Sequence, residues 1–245
     1  MQQRCAVWRK AGENRTPKKF EIKTASDHQV KVMVDFDLND VNSKYFTNYT
    51  ILGSGDVIIE NQFTPGKGKL PELPRFGMKM RIPDEFEQIQ YYGRGPHENY
   101  CDRKTGSLVG IYKSTVKEQY VPYISPQENG NKTDVRWIAL INNNGTGLLA
   151  IGMPLLSISA LHYTIEDLTQ KSRGTKHTID LKERDFVALN LDDKQMGVGG
   201  DNSWGARTHP QYTLPVKEYA YKFRLRPFSK EDDILKLSKM RFDLK

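Results

Sequence analysis

Apolar residues recur at every second position through most of this chain. Val30, Val32, Val34, Phe36 and Leu38 alternate with Lys31, Met33, Asp35 and Asp37, the period of a strand with one face on a core and the other in water. Tyr45, Thr47, Tyr49 and Ile51 repeat the pattern, Gly53-Ser54-Gly55 turns the chain, and Val57 to Phe63 returns as a hairpin partner. A Pro-, Gly- and Lys-rich loop from Pro65 to Pro74 leads to Phe76, Met78, Met80 and Ile82, alternating with Gly77, Lys79 and Arg81, and Phe86 to Tyr92 follows. Val135 to Ile141 and Leu148 to Gly152 flank Asn142-Asn143-Asn144-Gly145-Thr146-Gly147, whose Asn and Gly residues accept the angles of a hairpin turn. Leu155 to Tyr163 and Thr178 to Leu191 are predicted strands, and so is the run from Tyr219 to Arg226, which Pro227 stops. Helix is confined to short pieces: a turn over Cys5 to Gly12 with Val7 and Trp8 inward, one over Thr164 to Gln170, and a closing turn capped by Ser229 and Asp232 that docks Ile234 and Leu237. About a dozen short strands with so little helix predict an all-β fold of two large antiparallel sheets packed face to face.

The chain has 245 residues, and all-β folds of this size commonly form one domain, so a single domain over 1–245 is expected. Twelve tyrosines and an aromatic content of 10% favour strands. With a mean hydropathy of −0.66 and no long apolar window, no membrane partner is expected. The net charge is +7. Arg4, Arg9, Lys10, Arg15, Lys18 and Lys19 form a basic lead, but Lys31, Lys79, Arg81, Lys222, Arg224 and Arg226 fall at alternating strand positions. That is the pattern of solvated sheet faces, so no nucleic acid partner is expected. Cys5 and Cys101 are too few for a disulfide framework. His28, His97, His162, His177 and His209 are scattered without metal-ligand spacing, so no metal site is expected. Gly197-Val198-Gly199-Gly200 lacks the lysine and following helix of a phosphate loop.

The stretch with the most distinctive chemistry is Gln195-Met196-Gly197-Val198-Gly199-Gly200-Asp201-Asn202-Ser203-Trp204-Gly205. Glycines and Asn202 let this backbone bend where other residues resist. Trp204, flanked by Asp201, Asn202 and Ser203, pairs a flat apolar face with short hydrogen-bonding groups, which suits a sugar ring. The competing reading makes Trp204 a buried loop anchor. Glu98 and Glu128, each followed by Asn, are candidates for the carboxylate pair of a glycosidase, which stands about 5 to 5.5 Å apart in retaining enzymes. The ordinary alternative is that each ties down its own loop, with Arg103 of Asp102-Arg103 or Arg136 as ion-pair partners that lock loops and touch no substrate.

Three motifs occur in order: Tyr91-Tyr92-Gly93-Arg94-Gly95-Pro96-His97-Glu98-Asn99-Tyr100-Cys101-Asp102-Arg103, Pro122-Tyr123-Ile124-Ser125-Pro126-Gln127-Glu128-Asn129-Gly130, and Met196 to Trp204. In these the chain, from about Trp8 to Pro227, resembles the C-terminal, small-chain domain of the large bacterial β-galactosidases of glycoside hydrolase family two. The resemblance implies a β-supersandwich like that of galactose mutarotases. It implies a domain packed against a catalytic TIM barrel and other domains of a parent enzyme that hydrolyses terminal non-reducing β-D-galactose residues with retention. Trp204 matches the family tryptophan that stacks on the aglycone or glucose at the acceptor subsite, with Asn202 and Asp201 beside it as weaker substrate contacts. The family's catalytic glutamates and metal ligands lie on the barrel. The resemblance therefore implies no catalytic residue and no cofactor in this chain, and a divalent cation, Mg or Ca, in the parent's barrel. The family domain begins earlier, with a mobile loop near the active site, so this chain is expected to lack its first strands. Cys101 stands where the family usually has proline. The compartment, bacterial cytoplasm or periplasm, is left open. Two other readings are a free-standing carbohydrate-binding module and a mutarotase-like epimerase. The latter needs a His and a Glu converging on a sugar, from His97, His162 or His177 with Glu98 or Glu128, which the resemblance does not put in a shared pocket.

Overall fold

The computed structural model describes residues 3–169, 176–202 and 204–242. Eleven strands are present among them, all paired antiparallel: β1 Arg15–Ser26, β2 Gln29–Leu38, β3 Ser43–Leu52, β4 Val57–Thr64, β5 Arg75–Pro83, β6 Gln88–Gly95, β7 Leu108–Thr115, β8 Lys132–Ile141, β9 Gly147–Leu161, β10 Phe186–Gln195 and β11 Tyr219–Phe228. Their order is β1-β2-β3-β4-β11-β9-β8-β6-β7, with β10 bonded to β9 and β5 to β10. The expected layers are thus joined through β9. Its residues Gly147 to Met153 pair with β11, and Ser157 to Leu161 pair with β10. The all-β, antiparallel class follows from the period-two pattern.

The layers meet through aromatic rings. Phe76 of β5 lies 5.2 Å from Tyr221 and 5.7 Å from Tyr219, both on β11, 6.1 Å from Phe63 of β4 and 6.2 Å from Tyr45 of β3. The inward residues Val187, Leu189 and Leu191 of β10 and Ile138 and Leu140 of β8 complete this core. On the other face of β8 and β9, Trp137, Ala139, Leu149 and Ile151 are covered by Phe228 and by Leu237 of the short helix α1, Ile234–Lys239. Asp233 caps that helix by accepting from the amides of Leu235 and Lys236. The Ser229–Asp232 bond forms just before it.

Four strand assignments differ from the pattern. β1 was hidden in the basic lead because it is an edge strand whose Phe20 and Ile22 face solvent. β7 is the opposite edge, with Leu108, Val109 and Ile111 exposed, so no apolar alternation marks it. β9 runs through Pro154, which reads as a break between two strands. The proline falls where β9 leaves β11 after Met153 and before it joins β10 at Ser157, so its missing N–H costs no bond to either partner. β10 starts only at Phe186, after a 3-10 turn at Thr178–Asp180 and the charged stretch Lys182 to Asp185. The helical turn expected over Thr164 to Gln170 is a hydrogen-bonded turn as far as Thr169, and Gln170 lies outside the described residues.

Candidate functional site

β10 delivers the glycine-rich stretch into a loop over 196–209 that is fastened at several points. The Met196 amide donates to Pro74 O at 2.9 Å, and that of Gly197 to Tyr212 O at 2.8 Å. The Asp102 carboxylate accepts from Gly199 N at 2.8 Å. The Thr208 hydroxyl reaches both Gly197 O and Gly199 O at 2.9 Å. Two glycines are dictated by geometry. A Cβ on Gly197 would stand 2.6 Å from the Asp102 carboxylate, and Gly205 has φ +109°. Trp204 is 91% exposed at the tip. The Asn202 side chain is used locally, its Oδ1 accepting from Trp204 N at 2.9 Å and Ala206 N at 3.3 Å, an Asx-type bond that shapes the turn. Asp201 is exposed and holds His209 Nε2 at 2.7 Å. Ser203 lies outside the described residues.

The motif Gly95 to Arg103 forms a turn below this loop. Asn99, fully buried, donates to Arg94 O and His97 O and accepts from the amide and hydroxyl of Thr133, knotting the turn to β8. The Cys101 thiol donates to Gln195 O at 3.4 Å, and burial pushes its pKa up. A proline there has no such donor.

Glu98 and Glu128 are both held by ion pairs. Glu98 Oε1 accepts from Arg103 at 2.5 Å and from the Tyr123 hydroxyl, and Oε2 from Gly130 N at 2.8 Å and Tyr100 at 3.2 Å. Four donors leave this carboxylate no lone pair for general-base work. Glu128 pairs with Arg75 at 2.9 Å. Arg75 also sits 3.5 Å from buried Asp192 of β10, whose pKa desolvation raises to about 7 against the Arg75 charge. Asn129 ties its own loop through both backbone groups of Val121. Arg136 donates to Asp134 O and lies over the Tyr92 ring, and it meets neither glutamate. His97 and Glu98 line one cavity, a conjunction the resemblance did not imply. His162 is latched to Glu87 at 2.7 Å and to Phe186 O, and His177 to the Asp180 turn. Among the described residues no three His, Cys, Asp or Glu side chains cluster to hold a metal ion.

Comparison with known proteins agrees with these motifs. The family model "Beta galactosidase small chain" matches residues 1–225. A β-galactosidase of Priestia megaterium is 39% identical over 228 residues, 93% of this chain and 22% of that protein. β-Galactosidases of Halalkalibacterium halodurans and Lactobacillus delbrueckii subsp. bulgaricus are each 32% identical, over 86% and 87% of this chain and 21% and 20% of theirs. Among solved structures, a GalM/aldose epimerase homologue from C. elegans superposes with a TM-score of 0.45 at 14% identity, over 86% of this chain and 69% of its own. The galactosidase domain of an α-galactosidase-sucrose kinase gives 0.47 at 8%, over 88% and 28%. The chain spans about a fifth of the length of the curated relatives it matches. With a family model over nearly its whole length and its three motifs in place, this chain belongs to the β-galactosidase small-chain family.

Proposed function

We propose that this chain is the part of a retaining β-galactosidase that walls the acceptor side of the active site, while a TIM barrel elsewhere in the parent protein carries the two catalytic glutamates and a divalent cation, Mg or Ca. The observation that carries the reading is Trp204, 91% exposed at the tip of a loop pinned from below by Asp102, Thr208 and Tyr212. A large aromatic held in water gains by covering its face. A glucose or aglycone ring offers C–H groups to that face and hydroxyls to the polar side chains around it. Asp201 is the hydroxyl partner beside the indole, and Asn202 acts by setting the turn. Glu98 and Glu128 stiffen the wall and take no part in bond cleavage.

The test is Trp204→Ala in the complete enzyme. KM for lactose should rise about tenfold, close to 1.4 kcal/mol, with inhibition by glucose weakened alike and Trp204→Phe partly restoring both. Unchanged KM and unchanged glucose inhibition would remove the reading. Saturable millimolar lactose binding by the 245-residue chain alone would instead favour a free-standing binding module.

A further inference from the structure

The Gly95–Arg103 turn that sends Asp102 to the tryptophan loop sends His97, Glu98 and Arg103 onto a cavity of about 450 Å³, within the range of small-molecule sites. Tyr91, Tyr112, Tyr123 and Lys132 complete its walls. We propose that this cavity binds a small oxyanion-bearing ligand, a carboxylate or phosphate on a body of monosaccharide size, with Lys132 as its charge partner.

Lys132 is only 3% exposed, and among the described residues its Nζ has one hydrogen bond, to Gly130 O at 3.3 Å. An ammonium carries three donors, so a buried one with a single long bond to a neutral carbonyl is costly unless something else completes it. The backbone is shaped to put it there. The β8–β9 register shifts between Lys132 and Val135, and Asp134 has φ +53° and is held by Arg94 and Lys104. Bulges and left-handed non-glycine residues are devices that re-aim a side chain, at a cost that surrounding contacts must hold in place.

Charge around the cavity decides the class of ligand. Glu98 has both oxygens filled by Arg103, Tyr123, Tyr100 and Gly130 N. Glu118 accepts through Oε2 from the Ser114 hydroxyl and Thr115 N. Glu98 is therefore paired with Arg103 while exposed Glu118 keeps its charge, and Lys132 in the wall and exposed Lys113 carry no ion pair among the described residues, so three cations face two carboxylates across the cavity. Burial pulls the Lys132 ammonium down to about 8, with Glu98 opposing, which is the state an incoming anion reverses. The half-buried Tyr112 ring, backed by buried Tyr91 at 5.4 Å, supplies an aromatic wall for the body of the ligand.

The proposal does not depend on Trp204. It is tested by calorimetric titration of the 245-residue chain with inorganic phosphate, D-galacturonate, galactose 6-phosphate and neutral galactose. Saturable binding of the charged probes is expected, at least tenfold tighter than that of galactose, and the tighter of galacturonate and galactose 6-phosphate tells carboxylate from phosphate. Lys132→Met should weaken it at least tenfold, and Lys132→Arg should retain it. No saturation with any charged probe up to about 10 mM, or unchanged affinity in a folded Lys132→Met, overturns the proposal. Should Lys132→Met not fold, Lys113→Ala decides: a several-fold loss supports the site, and unchanged affinity overturns it.

Discussion

The Asp102 carboxylate accepts the backbone N–H of Gly199 at 2.8 Å across 97 positions of sequence. Its other oxygen is buried with no partner among the described residues. This one bond joins the two most distinctive motifs of the chain, the turn that carries Glu98 and the loop that carries Trp204, and a Cβ on Gly197 would stand 2.6 Å from the same carboxylate.

Asp102→Ala should therefore loosen the tryptophan loop while leaving the sheet intact. A hydrogen bond to a charged acceptor is worth about 1.5–3 kcal/mol, so exchange of the Gly199 amide should speed by at least tenfold and the fluorescence anisotropy of Trp204 should fall. Asp102→Asn keeps an acceptor and should lose less. Unchanged exchange at Gly199 would contradict the assignment.

Asp192 sets a pH dependence of known sign. Burial, helped by Glu128, raises its pKa to about 7 against the pull of Arg75, compared with about 3.9 in an unfolded chain. Between those values the folded state holds a proton that the unfolded state has released, so stability falls as pH rises through this window, by at most about 1.4 kcal/mol per pH unit. Asp193 is shifted the same way by burial and leaves a residual slope. Urea unfolding between about pH 4.5 and 7.5 should show the decline and its reduction in Asp192→Asn.

The sheet was legible because its inner strands bury one face each, and alternation is the direct trace of that burial. The site was legible only in part. A run of glycines around one tryptophan announces a shaped loop, but that Asn202 would turn its oxygen on Trp204 N and Ala206 N depends on a geometry that spacing does not encode. Glu98 and Glu128 look alike in sequence, each before an asparagine. Their donors come from Arg103, Tyr123, Gly130 and, for Glu128, from Arg75, contacts made only once the sheet has closed. Lys132 gave no signal at all, since a lysine that opens a strand reads as a solvated one.

Lys132 has the opposite effect on stability to Asp192, on the alkaline side. Its ammonium, lowered to about 8 by desolvation, compares with about 10.4 when unfolded. Above pH 8 the unfolded chain holds the extra proton, so stability should rise with pH. Tyr91 and Tyr100, whose hydroxyls burial pushes up, act against this only above about pH 10. Cys101, whose thiol burial also pushes up, opposes the rise from about pH 8.5, so denaturation midpoints between about pH 8 and 9.5 should run more steeply upward in the wild-type chain than in Lys132→Met, which should decline there and be no less stable at pH 7.

Asp56 is fully buried and pairs with Arg224, which is 3% exposed, and with Arg226 at 2.8 Å, while Ser54 Oγ donates to it at 2.6 Å. Arg224 in turn donates through Nη2 to Leu237 O at 2.6 Å, so the carboxylate on the β3–β4 connection indirectly holds the carboxyl end of α1. Asp56→Ala leaves the Arg224 guanidinium in the interior with only neutral partners, the Leu237 and Met240 carbonyls and the Phe242 ring, and removing one member of a buried ion pair costs about 3–5 kcal/mol. The helix should loosen first, with faster amide exchange at Leu237, and the urea midpoint should fall with it. Because most of that cost is the stranded charge, Arg224→Leu in the Asp56→Ala background should recover stability. A double variant as weak as the single one would mean that the pair holds the fold by its geometry and not by its charge.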